Sequence, residues 1–258
     1  MTISGLTRTL AVVAVTATST TALTVSSAPS LARAPDGPDF GAPTVGACST
    51  MTPRQADAKA DKSTVVPCSR THTAKVAGVV QLPAGLAYSK TGQVYKTMVD
   101  TCKPKWNKLL GRTHAVRDSS AYQLVWFIPT KTQRQHGARW VSCSVVLRQG
   151  TKLAKLTTDR APLLPSGKLG DRIHRCLLAT TSAAITTRCA AEHGWRATGS
   201  FVIASKKYPG TKAVNRTARS KCASRTNQRK AYRWTYWTKV NWQVGGDHAI
   251  ICYSETTS

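Results

Sequence analysis

Two stretches of the chain alternate apolar or small residues with polar ones at every second position. After His72 the apolar or small positions are Val76, Gly78, Val80 and Leu82; after His193 they are Ala197, Gly199, Phe201 and Ile203, at the same offsets. A period of two predicts a strand with one buried face. The glycine shared by both predicts a bulge or a closely approaching backbone. A helical pattern follows each strand. Val94, Met98, Cys102, Trp106 and Leu109 fall on one helix face, and Val214, Ala218 and Cys222 match the first three offsets. The second run then turns basic, with Arg216, Arg219, Lys221, Arg225, Arg229 and Lys230, so a shorter, cationic helix is expected. Pro104 is expected to bend the first helix or end it early. Two further strand-like runs close each unit, at 121–129 and 138–147 and then at 232–242 and 247–255. In both units a glycine stands six residues before the last cysteine, Gly137 before Cys143 and Gly246 before Cys252.

The same unit is thus written twice. The expected fold class is α+β: two tandem disulfide-stapled repeats, each a small antiparallel sheet packed with one helix, over residues 35–150 and 170–258. Residues 151–169 carry Gly, Pro and Ser without a sustained period and read as a linker with some packing. Each unit holds four cysteines in the same order, Cys48, Cys68, Cys102 and Cys143, then Cys176, Cys189, Cys222 and Cys252. Four cysteines allow three pairings. Pinning a helix covalently to a sheet favours Cys48–Cys68 with Cys102–Cys143, and Cys176–Cys189 with Cys222–Cys252.

Composition changes the picture in two ways. Residues 1–34 read as a secretory signal peptide, with Arg8, an apolar run diluted by Thr and Ser from Leu10 to Val25, and small residues to Ala32-x-Ala34. Pro35 opposes cleavage after Ala34, and a cut after Ser30 is the alternative. The run is too short and hydroxyl-rich for a membrane span. Export to the extracellular space or cell envelope gives an even cysteine count its usual meaning, structural disulfides. The second change is charge: 37 Lys plus Arg against 11 Asp plus Glu, net +26. Such a surface attracts polyanions, and an exported protein meets anionic wall polymer and envelope proteins before nucleic acid. No specific nucleic acid is expected.

Cys68, His72, Val76, Leu82, Pro83, Cys102, Pro129, Gly137 and Cys143 together resemble the actinobacterial septum-formation domain family. Gln133 and Arg134 stand where a tryptophan would be expected. The second unit is similar through Cys189, His193, Cys222, Trp242, Gly246 and Cys252 but lacks the Leu-Pro. The resemblance implies an extracytoplasmic module associated with cell division, without an established activity and without catalytic residues to transfer.

The chemistry-bearing residues agree with a non-enzyme. A zinc site needs three or four ligands, and Cys-x-x-x-His here enters a strand rather than a helix. Glu192 beside His193 has only Thr71 as its counterpart beside His72. No Cys-x-x-Cys occurs, which argues against a zinc ribbon and a thioredoxin-type centre. No metal ligand, cofactor or catalytic residue is assigned, and His72 and His193 are signature residues expected to satisfy backbone groups at a strand start. Carboxylates do not recur at matched positions: Asp100 corresponds to Ser220, and Asp247 to Ala138. Hydrolysis of glycosides usually wants two facing carboxylates. The aromatics Trp234, Tyr236, Trp237 and Trp242 read as strand residues amid Arg233 and Lys239, with Trp234 and Tyr236 on one face and Trp237 on the other; core on both sides is the favoured reading, and exposed aromatics that stack on sugars or bases are the alternative. The expected function is a non-enzymatic, exported binding or scaffolding module with a cationic surface. The alternative is a secreted basic hydrolase, a nuclease or wall hydrolase, using His72, His193 or His248.

Overall fold

The structure is a computed structural model that describes residues 36–156, 160–178, 184–226 and 231–256. The expected signal peptide, and Arg229 and Lys230 of the basic run, lie outside the described residues. The chain first lays down β1 (Cys48–Thr50), a single turn α1 (Pro53–Ala56) and β2 (Thr64–Val66), which returns antiparallel beside β1. The first alternating segment is β3 (Ala74–Gln81). It is followed by α2 (Thr91–Leu110), α3 (His114–Asp118), β4 (Tyr122–Phe127), α4 (Lys131–Gln135), β5 (Trp140–Gln149) and β6 (Lys152–Ala154). The second set comprises β7 (Arg175–Leu177), β8 (Thr186–Arg188), β9 (Trp195–Val202), α5 (Thr211–Ala223), β10 (Tyr232–Tyr236), α6 (Lys239–Gln243) and β11 (Ala249–Glu255).

These strands form two antiparallel sheets. The first has the order β2-β1-β3-β5-β4, with β6 added on β5, and the second β8-β7-β9-β11-β10. The two orders coincide strand for strand. Even the irregularities coincide. Pairing of β3 with β5 slips between Val76 and Gly78, and pairing of β9 with β11 slips between Ala197 and Gly199, leaving one extra residue in each strand. Gly78 then lies opposite Cys143, and Gly199 opposite Cys252. A Cβ on Gly78 would stand 3.5 Å from Cys143 Sγ and closer still to the Lys105 side chain. Glycine leaves that space to the disulfide and the lysine stem. Gly137 and Gly246 have φ of 84° and 56°, the left-handed region that glycine enters without steric cost.

The eight cysteines form four disulfides, Cys48–Cys68, Cys102–Cys143, Cys176–Cys189 and Cys222–Cys252, with Cα separations of 5.2, 6.0, 5.1 and 5.3 Å. One bond in each set ties the opening strand to the turn before the alternating strand. The other ties a helix to a long strand, α2 to β5 in the first set and α5 to β11 in the second.

In the first sheet, Val141 and Cys143 of β5 pack on Val94, Met98 and Cys102 of α2. The opposite face, with Ala74, Val125, Phe127 and Val146, packs on Met51 and Ala56. Covered on both sides, β5 is buried without a break from Trp140 to Leu147. In the second sheet Phe201, Ile250 and Cys252 pack on Val214, Ala218 and Cys222 of α5, with Trp242 in the same cluster. Leu156, Leu163 and Leu164, between the two sets, are buried against Leu110 and Tyr122.

Two sequence-based expectations are corrected. Helix α2 does not end early at Pro104 but continues through it to Leu110 and stops at Gly111, φ 72°. Pro104 sits on the exposed side, while Met98, Cys102 and Leu110 bury the other side on both flanks of it. Residues 232–242 are not one strand. β10 ends at Tyr236, and Thr238 caps α6, its hydroxyl accepting from the Asn241 amide at 3.5 Å. That turn swings Trp242 into the core, where its Nε1 donates to the Ser205 carbonyl at 2.9 Å.

The sheets are joined by main-chain bonds on both sides of the Ser120–His174 bridge: Ala121 N donates to Ile173 O and Arg175 N to Ser119 O, each at 2.8 Å. Residues Ala34–Ser258 form one compact unit. Among the described residues no helix is long and apolar enough to cross a membrane.

Candidate functional site

The signature histidines occupy the same place in both sets. His72 Nδ1 lies 2.8 Å from the Arg70 carbonyl, and His193 Nδ1 lies 2.8 Å from the Ala191 carbonyl. A carbonyl only accepts, so each Nδ1 carries the proton and holds the turn that leads into the long strand. His72 is 5% exposed. Around His193, Cys176 and Cys189 bring their donor atoms within 4.8 Å of one another and of the ring. Both sulfurs belong to one disulfide. A metal takes a thiolate, not a disulfide sulfur, so in this oxidation state the group offers one nitrogen ligand.

Where the first sheet's loops meet those of the second, a recess of about 670 Å³ is lined by Arg70, His72, Lys155, Arg172 and Arg188, and among the described residues no carboxylate lines it. Arg70, Lys155 and Arg172 are exposed. Arg188 Nε donates to Gln149 Oε1 at 2.8 Å, which fixes the guanidinium in place. The recess collects residues that are far apart in the chain, so no charge run in the sequence marks it. Exposed cations also line α5, and Lys221 and Arg225 sit over the Phe201 ring at 5.1 and 5.2 Å.

A second concavity, about 290 Å³, opens between α2 of the first set and the α6–β11 segment of the second. Its walls include Tyr95, Trp106, Trp126 and Trp237, with Asp118, Asn241 and Asp247 among the polar groups. Three of the seven tryptophans line it. Tyr95 and Trp126 meet at 6.1 Å between ring centres, and Tyr95 Oη donates to Asn241 Oδ1 at 3.0 Å. Lys103 Nζ donates to the Gly245 and Gly246 carbonyls at 3.3 and 3.4 Å. These bonds hold the α6–β11 turn against α2.

Asp118 is the central charged group of this cleft. Its Oδ2 accepts from Ser200 Oγ at 2.8 Å and pairs with His114 Nδ1 at 3.2 Å. Burial raises its carboxyl pKa, against the pull of His114 and the Ser200 bond, and the nearby Asp247 raises it further while Arg175 lowers it. Burial also raises the Tyr95 phenol, with Asp247 adding to it. Sequence reasoning compared carboxylates at matched repeat positions and so missed this pair, whose members come from different sets. Trp237, expected as a strand residue, stands at the rim and is 37% exposed. Trp234 and Tyr236 pack on the second core.

The fold and these two concavities define a disulfide-stapled α+β module with a cationic recess and an aromatic cleft. A family model described as septum formation matches residues 45–252, and the chain belongs to the septum-formation family. The one match runs through both sheets. That family is not a known enzyme family. No curated protein matches the chain, and no solved structure does.

Proposed function

We propose that this is an exported, non-enzymatic septum-formation module of the actinobacterial type, whose two sheets descend from a tandem duplication, and that it binds or scaffolds at the cell envelope. Residues 1–34 direct export and are removed. Its partners are anionic wall polymers or envelope proteins, held by a cationic surface. The observation that carries the reading is the recess of Arg70, Lys155, Arg172 and Arg188, which gathers four cations with no acidic group among the described residues of its lining. In a chain of net charge +26 such a recess favours repeated phosphate or carboxylate groups over a single neutral ligand.

Co-sedimentation with purified cell wall, titrated with salt, tests it. Retention should fall steeply with salt, because polyanion binding releases counterions, and should fall again when anionic polymer is stripped from the wall. Retention indifferent to both would reject the reading. The Asp118–Asp247 pair favours one alternative, a secreted basic hydrolase, since two neighbouring carboxyls, one of them raised by burial, are a candidate acid–base arrangement. Zymograms with RNA and peptidoglycan discriminate: clearing lost in Asp118→Asn would establish the enzyme.

A further inference from the structure

We infer that the cleft between α2 and the α6–β11 turn binds an uncharged saccharide, one or two pyranose rings of an envelope glycan, with a ring stacked on Trp237 or Trp126. The inference goes beyond the polyanion reading and uses a different surface. Its lining is nearly balanced in charge, with Lys103, Arg117 and Arg175 against Asp118 and Asp247, whereas the whole chain carries 37 basic and 11 acidic groups. The cleft is therefore a poor polyanion site within a polycationic protein.

Aromatic faces and planar polar side chains are what a pyranose requires. Its C–H face packs on an aromatic ring, and its neighbouring hydroxyls donate to carboxylates and amides and accept from guanidinium and indole N–H groups. All of these occur here. The charged groups are already fixed by the protein. Asp118 is held by Ser200 and His114, and Arg175 Nε donates to the Ser120 carbonyl at 2.8 Å. A preorganised set of this kind binds without first ordering long side chains. At about 290 Å³ the space stands at the lower end of small-molecule sites, roughly 300–1,000 Å³, which suits a short saccharide and not a polymer segment.

Saturation-transfer NMR and calorimetry with the oxidised full chain, using chitotetraose and cellotetraose as probes at low and high salt, test the inference. Saturable binding of at least one probe, unchanged by salt, is expected. Trp237→Ala and Asp247→Asn should each weaken it about tenfold or more, near 1.4 kcal/mol, without losing the folded circular-dichroism spectrum. No saturation transfer to either probe, binding that vanishes with salt, or binding untouched by both substitutions would overturn it. Wall co-sedimentation measured on the same variants separates the two proposals: Trp237→Ala should keep its salt-sensitive retention. Loss of that retention in the wild type would leave saccharide binding standing.

Discussion

Two tryptophans five residues apart give the sharpest structural prediction. On a continuous strand Trp237 and Trp242 would face opposite sides of one sheet, both half-buried. The structure ends the strand at Tyr236 and turns α6, which puts Trp242 at 0% exposure and leaves Trp237 at 37%. Trp242 stacks on His248 at 4.7 Å, meets Tyr208 edge-on at 5.5 Å and donates to the Ser205 carbonyl. Truncating a buried tryptophan costs about 3–5 kcal/mol, and leaving the Ser205 carbonyl short of its donor adds about 1 kcal/mol. Trp242→Ala should therefore lose about 4–6 kcal/mol, a large share of the ~5–15 kcal/mol typical of a domain. Trp237→Ala, at the rim of the cleft, should cost less than about 1 kcal/mol. Urea unfolding followed by far-ultraviolet circular dichroism, with disulfides intact, measures both. Equal losses, or a greater loss at Trp237, would refute the assignment of α6 and of the cleft rim together.

Other expectations follow from the same geometry. Replacing both cysteines of Cys102–Cys143, whose partners are 41 residues apart, should cost about 4 kcal/mol by loop entropy, against about 3 kcal/mol for Cys176–Cys189 at 13 residues; denaturant midpoints of the two double-alanine variants test the ranking. The His174 pKa is pushed down to about 4, chiefly by burial and then by Arg196, with Asp171 opposing. A histidine lowered by folding leaves stability intact above about pH 6.5 and removes it as pH falls toward 4, because the unfolded chain takes the proton first. Partial exposure and screening limit that loss to about 1–2 kcal/mol, and His174→Gln should flatten this part of the stability–pH curve. Charge reversal in the recess, Arg70→Glu with Arg172→Glu, should lower wall retention and its salt slope while changing stability by about 0.5 kcal/mol or less.

Much of the architecture was legible because burial and periodicity coincide. The alternation after His72 and His193 became β3 and β9, and Val94, Met98 and Cys102 became the buried face of α2. The repeated glycine became the bulge opposite a disulfide-bonded strand cysteine. Pro104 does not end α2 early because the turns on both flanks of it are anchored by buried residues. The run 232–242 misled because its aromatics suit a strand while the Thr238 cap, a local hydrogen bond, stops it. The cleft was not legible at all. Tyr95, Asp118, Trp126 and Asp247 belong to separate elements, and reading the two units side by side hides residues that meet across them. The basic recess was missed for the same reason: Arg70, Lys155, Arg172 and Arg188 form no run in the sequence.

The account rests most directly on how the sulfurs are joined. Nonreducing peptide mapping of the protein purified without reductant, combined with thiol titration, should find Cys48 with Cys68, Cys102 with Cys143, Cys176 with Cys189 and Cys222 with Cys252, and no reactive thiol. Free thiols, stoichiometric zinc, or a Cys48–Cys102 peptide would contradict it.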